Sequence, residues 1–183
     1  MKRVLIIGSA GAGKTTLARR IGTLLDLPVI HLDRHFWNPG WVETPRDEWT
    51  RKVDGLVAGE RWVMDGNYGG TIEVRARAAD TILLLDYSRL LCLRRVLGRW
   101  WSHRGRQRPD LPEGCPETID AQFLAWIWNY RRRSRPRILD ALERFGEGRR
   151  IEILSNPGEA EALLHEIGNQ EERRPDEQRD QQR

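Results

Sequence analysis

The sequence predicts an α/β fold in which a parallel sheet of five strands is flanked by helices. Short apolar runs rich in branched residues alternate with segments of helical periodicity, an alternation typical of a doubly wound parallel sheet. The runs are apolar along most of their length, as expected of strands buried on both faces. The five strands are expected at Val4–Ile7, Pro28–Asp33, Arg61–Asp65, Asp80–Asp86 and Arg150–Leu154.

Helices are expected between these strands, and two polar insertions interrupt the regular alternation. The insertions cover Arg34–Gly59 and His103–Glu117, and the second contains three prolines and two glycines. Because Pro136 has no amide hydrogen, we expect it to kink or end the helix that precedes it. The helices are expected at Lys14–Asp26, Glu48–Val57, Arg89–Trp101, Thr118–Arg135, Ile138–Phe145 and Pro157–Ile167.

The chain of 183 residues suits a single domain, which we place at residues 1–168. Residues 169–183 hold no aliphatic side chain and cannot bury apolar area, so a disordered tail is expected there. No apolar run approaches the roughly 18 residues that a membrane helix needs. The N-terminal apolar run leads directly into a glycine-rich loop, so we interpret it as the first strand of a cytoplasmic protein. Cys92 and Cys115 belong to no zinc or disulfide pattern.

A glycine-rich segment directly follows the first expected strand and directly precedes the first expected helix. Its sequence, GSAGAGKT, matches the phosphate-binding pattern G-x-x-x-x-G-K-[S/T] at every position. Glycines let backbone amides converge on phosphate oxygens, and the positive end of the helix adds to that field. Lys14 is expected to reach the β- and γ-phosphates of ATP, and the Thr15 hydroxyl to bind Mg²⁺. The predicted nucleotide-binding residues are Gly8, Ser9, Ala10, Gly11, Ala12, Gly13, Lys14, Thr15 and the adjacent Thr16.

Three carboxylates end expected strands, where the ligands of open α/β sheets gather. A phosphate loop needs an acidic residue near Mg²⁺, and both Asp65 and Asp86 stand at suitable positions. We favour Asp65 because the loop at residues 66–68 is placed to face a substrate, and we keep Asp86 as the alternative. Asp33 is expected to hold an acceptor or take its hydroxyl proton. For all three, capping a helix or forming a turn is the competing interpretation.

Positive charge is concentrated in one part of the chain. Twelve arginines and four acidic residues lie between Arg89 and Arg137, although the net formal charge of the chain is only +4. This clustering predicts a polyanionic partner, either nucleotide phosphates or nucleic acid. Arginines carried by a closing lid neutralise charge on the transferred phosphoryl group, and closure excludes water. Arg131 and Arg135 share a helix face and are the predicted catalytic arginines.

Several segments accompany the phosphate loop in a specific order: HLDRHFWNPGW (31–41), WVMDGNY (62–68), DTILLLD (80–86), CLRRVLGR (92–99), RGRQRPDLPEGCPE (104–117) and FLAWIWNYRRRSRPRI (123–138). Together they resemble the topology-modulation protein family, which belongs to the adenylate-kinase-like P-loop proteins. The resemblance covers about residues 3–145. It implies a nucleoside-monophosphate-kinase-like fold with an acceptor-binding insertion at residues 34–59 and a lid at about residues 100–120.

The same resemblance implies roles for individual residues. Asp65 matches the acidic residue of the kinases' Asp-Gly motif, and Arg99 is similar to the arginine that packs on the donor adenine. The first departure from the nucleoside-monophosphate kinases concerns the acceptor. Their Asp-Gly-Phe-Pro-Arg motif corresponds to DGNYG at residues 65–69, so the arginine that helps to bind an acceptor phosphate is missing. The segment expected to form the lid also lacks paired aspartates and a four-cysteine zinc set. Both departures argue against AMP as the acceptor.

The sequence therefore predicts an ATP-binding P-loop phosphotransferase. It is expected to move the γ-phosphoryl group of Mg·ATP to a small nucleoside, nucleotide or hydroxylated metabolite, with ATP hydrolysis as a possible side activity. The alternative is an ATP-dependent DNA-binding regulator, as the family name suggests, which would use the basic region at residues 89–137. Nucleic acid is the less favoured partner, and no membrane partner is expected.

Overall fold

A computed structural model of the chain describes residues 1–103 and 111–180. Its strands are β1 (Arg3–Gly8), β2 (Val29–His31), β3 (Trp37–Asn38), β4 (Val42–Glu43), β5 (Trp62–Asp65), β6 (Thr81–Leu85) and β7 (Arg150–Leu154). Its α-helices are α1 (Lys14–Leu25), α2 (Leu32–Phe36), α3 (Arg46–Val57), α4 (Ile72–Ala78), α5 (Arg89–His103), α6 (Ala121–Arg133), α7 (Arg135–Phe145) and α8 (Pro157–Asp180).

Five strands form one parallel sheet in the order β2-β5-β1-β6-β7, which confirms the predicted α/β architecture. The connections that follow β1 lead first to β2 and β5 on one side and then to β6 and β7 on the other. The strand order therefore reverses beside the carboxyl end of β1, where ligands bind in sheets of this kind. The phosphate-loop sequence lies at that point.

The apolar strands are buried because helices cover both faces of the sheet. The side chains of Val4 and Ile6 pack in one cluster with residues of α1, α5 and α8, whereas Leu5 and Ile7 pack in a second with residues of α3, α4 and α7. Successive side chains of a strand point to opposite faces, which explains this division. Apolar residues are therefore needed along the buried positions Val4–Ile7 of β1, so these four residues form a continuous apolar run.

The predicted break near Pro136 is present, two residues before the proline itself. α6 ends at Arg133 and α7 begins at Arg135, with Ser134 between them. Pro136 therefore occupies the first turn of α7, where a helix needs no amide hydrogen from it. Three of the four predicted ends of these helices differ from the structure by two or three residues, and the end at Phe145 is as predicted.

Three local features differ from the sequence-based expectations, the first being α4, which corresponds to no expected helix. The first insertion contains a two-stranded antiparallel hairpin, β3–β4, ahead of α3, and the short helix α2 precedes it. α8 continues to Asp180, so residues 169–180 are helical where a disordered tail was expected. Glu, Gln and Arg favour helices, and Gln170 Nε2 donates to Glu166 Oε1 at 3.0 Å, one turn earlier. Residues 181–183 lie outside the described residues.

Across residues 1–103 and 111–180, no helix has the length and apolar character that would let it span a bilayer.

Candidate active site

The phosphate loop connects the end of β1 to the start of α1 by an unusually close path. Gly8 and Gly11 have φ values of 153° and 77°, which disfavour other residues. A Cβ atom at Gly8 would lie 2.7 Å from the carbonyl oxygen of Leu85, and one at Gly11 would lie 2.3 Å from that of Cys92. Glycine is thus required at both positions for the loop to pass beside β6 and α5. The amides of the loop and of the α1 N-terminus are thereby directed to one place.

Lys14 occupies the first position of α1, and its ammonium group bends back over the loop. Nζ donates a hydrogen bond to the carbonyl oxygen of Ser9 at 3.1 Å. Burial lowers the pKa of Lys14 from its ordinary value, while the carboxylates of Asp33 and Asp65 oppose that shift. The lysine is therefore a half-buried cation whose charge is influenced by two carboxylates, at a place where an anionic ligand would stabilise it.

Asp65 ends β5 and lies directly beside His31 at the end of β2. The two residues are register partners in the parallel sheet, and His31 Nδ1 lies 2.9 Å from Asp65 Oδ1. Both side chains are at least nine-tenths buried. The other carboxylate oxygen, Oδ2, is buried without a hydrogen-bond partner among the described residues. An interaction that the sequence did not predict thus orients one oxygen of Asp65 and leaves the other for a ligand.

The Asp65 carboxylate fits a role near Mg²⁺. A buried carboxylate oxygen that lacks a partner is costly, and a hard cation or its bound water offsets that cost. Thr15 lines the same cavity as Asp65. Mg²⁺ keeps several waters and binds through one or two protein groups together with phosphates, so one carboxylate and one hydroxyl are a sufficient protein contribution.

Asp86, the alternative carboxylate, has a different environment at the end of β6. Its Oδ2 accepts a hydrogen bond from Arg135 Nε at 2.8 Å and lies 3.6 Å from Arg131 Nη2. Asp86 is buried and does not line the cavity that contains the phosphate loop. Its charge is balanced by the two arginines at the junction of α6 and α7, although its Oδ1, like Asp65 Oδ2, is buried without a hydrogen-bond partner among the described residues. Asp65 is favoured over Asp86 for the cation because Asp65 lines the cavity that contains the phosphate loop and Asp86 does not.

Arg131 and Arg135, predicted to be catalytic, are accordingly engaged with Asp86 in this structure. Neither arginine lines the cavity. The two arginines do not share one helix face as predicted, because α6 ends at Arg133 and α7 begins at Arg135; they are brought together by their common partner, Asp86. The remaining arginines of the expected lid, Arg104, Arg106 and Arg108, lie outside the described residues.

Two arginines of α5 do reach the cavity. Arg95 Nη1 donates to the carbonyl oxygen of Ala12 in the phosphate loop at 3.1 Å. Arg99 Nε donates to Glu117 Oε1 at 2.9 Å, and both residues line the cavity. The family resemblance predicts that Arg99 packs on the donor adenine, but no role is predicted for Arg95. The sequence feature that could have indicated Arg95 is its spacing of four residues from Arg99, which places both on the same helix face.

On the other side of the cavity, Asp33 and Tyr68 form a short hydrogen bond. The Tyr68 hydroxyl donates to Asp33 Oδ1 at 2.6 Å. Burial and the neighbouring Asp33 charge raise the pKa of Tyr68, so the phenol stays protonated and donates. Asp33 is therefore an oriented carboxylate that lines the cavity, rather than only a turn residue.

Hydrogen bonds from Arg75 stabilise the loop that carries Tyr68, and the sequence did not predict this role. The guanidinium of Arg75 is fully buried and donates to the carbonyl oxygens of Gly66, Tyr68 and Thr71 at 3.0, 2.6 and 3.2 Å. Burial lowers the pKa of Arg75 to about 9, which leaves it charged at neutral pH. Carbonyl oxygens thus take the place of a carboxylate as its partners. Nothing in the spacing of RAR at residues 75–77 indicated which arginine would be buried.

One cavity of about 1460 Å³ joins these groups. It is lined both by the phosphate loop and by residues of the first insertion, so a nucleotide and a second ligand can occupy it side by side. Gly8 and Ser9 lie outside its lining. The predicted site residues that do line it are Ala10, Gly11, Ala12, Gly13, Lys14, Thr15, Thr16, Asp33, Asp65 and Arg99.

Comparison with known proteins links this architecture to kinases of known structure. No family model matches the chain, and no curated protein matches it. A shikimate kinase from Acinetobacter baumannii aligns with a TM-score of 0.56 and 21% identity over 91% of this chain and 90% of that chain. A shikimate kinase from Bacteroides thetaiotaomicron aligns with a TM-score of 0.53 and 18% identity over 93% and 98% of the two chains.

A sugar kinase from Janibacter sp. aligns with a TM-score of 0.50 and 18% identity over 91% of each chain. These similarities span nearly the full length of both partners, so they concern the whole domain and not only its phosphate loop. The chain therefore has the α/β P-loop fold that is also found in kinases of small metabolites.

Proposed function

We propose that this protein is a phosphotransferase that moves the γ-phosphoryl group of Mg·ATP to a small hydroxylated acceptor. The observation that carries the proposal is the single cavity in which the phosphate loop and the Asp33–Tyr68 pair face each other. A protein that only hydrolyses ATP needs no second, shaped compartment beside the nucleotide. The fold shared with small-metabolite kinases supports the same conclusion.

In this proposal the donor side binds ATP through backbone amides and cationic side chains. Residues 8–16 and Lys14 in particular bind the phosphates, and Arg95 and Arg99 supply further positive charge from α5. Thr15 and Asp65 hold Mg²⁺, which neutralises charge on the phosphates when it is bound. His31 keeps the Asp65 carboxylate in a fixed orientation through its 2.9 Å contact.

The acceptor side supplies a carboxylate for the reacting hydroxyl. Asp33 is held by Tyr68 and lies close enough to Lys14 to influence its pKa, so the two halves of the cavity meet at these side chains. We propose that Asp33 orients the acceptor hydroxyl and accepts its proton. In phosphoryl transfer the gain comes mainly from such positioning and from charge stabilisation.

We also propose that the chain is a member of the topology-modulation protein family and that residues 34–59 bind the acceptor. We further propose that residues 100–120 act as a lid. We propose that Arg131 and Arg135 stabilise charge on the transferred phosphoryl group, and that they must first leave Asp86 when the site closes. The alternative function, an ATP-dependent DNA-binding regulator, gains no support from the structural similarities, which are to kinases of small metabolites.

The decisive experiment is a screen for acceptor-dependent ADP formation with Mg·ATP and panels of nucleosides, nucleotides and hydroxylated metabolites. A phosphotransferase should form ADP at least about tenfold faster with one acceptor than with water alone, and mass spectrometry should detect the phosphorylated product. Unchanged hydrolysis across all panels, together with salt-sensitive binding of duplex DNA, would support the regulator instead.

A further inference from the structure

The acceptor side of the cavity is lined by four aromatic rings from two separate segments. Phe36, Trp37 and Trp41 belong to the first insertion, and Tyr68 belongs to the loop after β5. All four are partly exposed. We refer to these four residues as the aromatic wall. A wall of this kind presents a large apolar area to a site that otherwise contains charged groups, which favours a ligand with an apolar face.

Contacts between the rings hold the aromatic wall in a fixed arrangement. Phe36 and Trp37 meet edge to face with centroids 4.9 Å apart, and Trp37 meets Trp41 in the same way at 5.3 Å. Phe36 also contacts Tyr68 at 4.6 Å, and the buried Trp49 supports both of these rings from behind. Each ring of the aromatic wall thus contacts at least one other ring of the wall. A planar ring of a ligand can therefore stack on a surface that is already formed.

Two carboxylates lie beside the aromatic wall, where they disfavour a phosphorylated or carboxylated acceptor because like charges repel an anionic ligand. Asp33 is bonded to Tyr68, and Glu43 is the register partner of Trp37. The position at which nucleoside-monophosphate kinases carry an acceptor-binding arginine holds Gly69 in this chain. The lysine and arginines at the phosphate loop are engaged on the donor side.

The cationic side chains around the phosphate loop already have polar partners on the donor side of the cavity. Lys14 and Arg95 donate to carbonyl oxygens of the phosphate loop itself, and Arg99 is paired with Glu117. These cations are placed for the phosphates of ATP. A second phosphate, on the acceptor, would have to compete for them.

We propose that the acceptor is a nucleoside, rather than a nucleoside monophosphate or a sugar acid; this inference rests on the phosphotransferase function proposed above. The nucleobase stacks on the aromatic wall, with Glu43, the register partner of Trp37, available to its polar edge. The sugar hydroxyl lies at Asp33. In the reaction a bond forms between the hydroxyl oxygen and the γ-phosphorus, and the bond from that phosphorus to the β,γ-bridging oxygen breaks. ADP leaves with the electron pair, and the hydroxyl proton passes to the Asp33 carboxylate and then to water.

The test compares matched acceptors with Mg·ATP and the full-length chain. Adenosine, guanosine, cytidine, uridine and thymidine are each assayed beside the corresponding 5′-monophosphate, and gluconate and shikimate represent non-aromatic acids. The inference requires kcat/KM for one nucleoside to exceed the value for its own monophosphate by at least about tenfold. Preferred transfer to a monophosphate or to a non-aromatic acid would overturn it while leaving the phosphotransferase function intact.

Variants of the aromatic wall separate stacking from a general loss of structure. Trp37→Leu should raise KM for the nucleoside about tenfold or more with a smaller change in kcat, and Trp37→Phe should restore most of the loss. Trp128→Leu is the matched control, because Trp128 lies on α6 away from the cavity lining and packs on Arg89. Equal KM values for Trp37→Leu and wild type, in a protein that melts normally, would refute stacking on Trp37.

Calorimetry with each nucleoside alone distinguishes the two proposals. Saturable nucleoside binding that is weakened by Trp37→Leu, without transfer from ATP, would preserve the nucleoside site and refute the phosphotransferase function. Absence of both binding and transfer for every nucleoside would refute the nucleoside inference.

Discussion

His31 Nδ1 lies 2.9 Å from Asp65 Oδ1, and this contact links the ends of two neighbouring parallel strands. The two residues face each other because the register of β2 and β5 pairs them directly. Both are buried, so the bond forms in surroundings where polar contacts are strong and their loss is costly. The imidazole thereby fixes the carboxylate that we assign to Mg²⁺.

Replacing His31 should therefore alter Mg²⁺ dependence before it alters anything else at the site. His31→Leu removes the partner of Asp65 Oδ1 and should raise the Mg²⁺ concentration for half-maximal turnover about tenfold. It should also lower stability by about 1–3 kcal/mol, the usual cost of an unpaired buried polar group. His31→Asn keeps a nitrogen donor near the position of Nδ1 and should recover part of both losses.

Magnesium titrations and thermal melts of the three proteins measure these effects. His165→Ala, an exposed change on α8, controls for loss of a histidine in general. If His31→Leu turns over with the Mg²⁺ dependence of wild type, His31 does not position a Mg²⁺-binding carboxylate.

The contact between His31 and Asp65 also illustrates how far the sequence could be interpreted. Two apolar runs, PVIHLD and RWVMD, predicted neighbouring strands whose ends carry polar residues. In the sequence, His31 has no nearby residue that would indicate a shared site, because its partner Asp65 lies 34 residues away. Aligning the carboxyl ends of the two expected strands would have brought the pair together. The missing information was the register, which long-range packing of the sheet determines.

Elsewhere in the site, too, features set by local sequence were predictable and features set by tertiary contacts were not. The phosphate loop was predictable because its backbone geometry requires glycine at fixed spacing. Arg75 and Asp86 were not, because an arginine or aspartate has the same local signal whether it is exposed or buried. The partners that make their burial possible come from the loop at residues 66–71 and from the junction of α6 and α7.

Lys14→Ala should abolish detectable ATP binding while leaving the fold intact, since the ammonium serves phosphates rather than the core. Calorimetric titration with ATP and a thermal melt measure the two properties. Lys2→Ala is the control, because Lys2 precedes β1 at the end opposite to the phosphate loop. Near-normal ATP affinity in folded Lys14→Ala would contradict the assignment of the phosphate loop.

The lowered pKa of Lys14 predicts a specific pH dependence of ATP binding. Burial brings this pKa below 10.5, so the free protein loses the ammonium proton earlier than an ordinary lysine would. Bound phosphates favour the charged form, and ATP binding must then take up a proton. The dissociation constant should therefore rise with pH, approaching about tenfold per unit, between the lowered pKa of the free protein and 10.5, and further for as long as the bound phosphates keep the ammonium protonated.

The stability of the free protein should respond in the opposite direction. In that same window the unfolded chain binds more protons at Lys14 than the folded chain does, so the contribution of Lys14 to stability increases with pH. Calorimetric titrations from neutral to alkaline pH test the ATP dependence. A dissociation constant that stays flat up to pH 10 would show that the lysine does not titrate in this range.

The ion pair between Asp86 and Arg135 should be measurable as coupling between the two residues. Removing either partner leaves a polar group without its closest contact, at a cost of about 1–3 kcal/mol. Asp86→Asn and Arg135→Gln should therefore each lower stability, and the double variant should cost less than the sum of the single changes. Arg132→Gln, an exposed neighbour, serves as the control.

Turnover of the same variants tests whether Arg135 also acts on the phosphoryl group. If Arg135 leaves Asp86 during closure, Arg135→Gln should reduce kcat by about a hundredfold or more, well beyond the effect of Asp86→Asn. Equal losses of kcat in the two single variants would indicate that the ion pair is only structural.

The β3–β4 hairpin is bound to residues 114–116, which belong to the segment that we propose as a lid. The Gly40 amide donates to the Gly114 carbonyl oxygen at 2.9 Å, and Trp41 Nε1 donates to the Pro116 carbonyl oxygen at 3.1 Å. Gly114 has a φ of 77°, and a Cβ atom there would lie 3.1 Å from Cβ of Pro39. Hairpin and lid segment are therefore joined through backbone contacts that leave little room for a side chain.

Gly114→Ala should loosen this junction and weaken binding of both substrates together. The added methyl group must displace Pro39, and a positive φ is itself unfavourable for alanine, by about 1 kcal/mol. Gly148→Ala provides a matched control: Gly148 has a φ of 73°, but a Cβ atom there meets nothing within 4 Å. Backbone strain is thus similar in the two variants, and only Gly114→Ala disturbs the hairpin.

We expect KM for ATP and KM for the acceptor each to rise several-fold in Gly114→Ala and to stay near wild type in Gly148→Ala. Hydrogen exchange at the Gly40 amide should accelerate in the first variant only, because that amide loses its carbonyl partner. If Gly114→Ala raised only the acceptor KM, the hairpin would act on its own compartment and not together with the lid segment. If both variants behaved alike, backbone strain rather than the contact with Pro39 would be responsible.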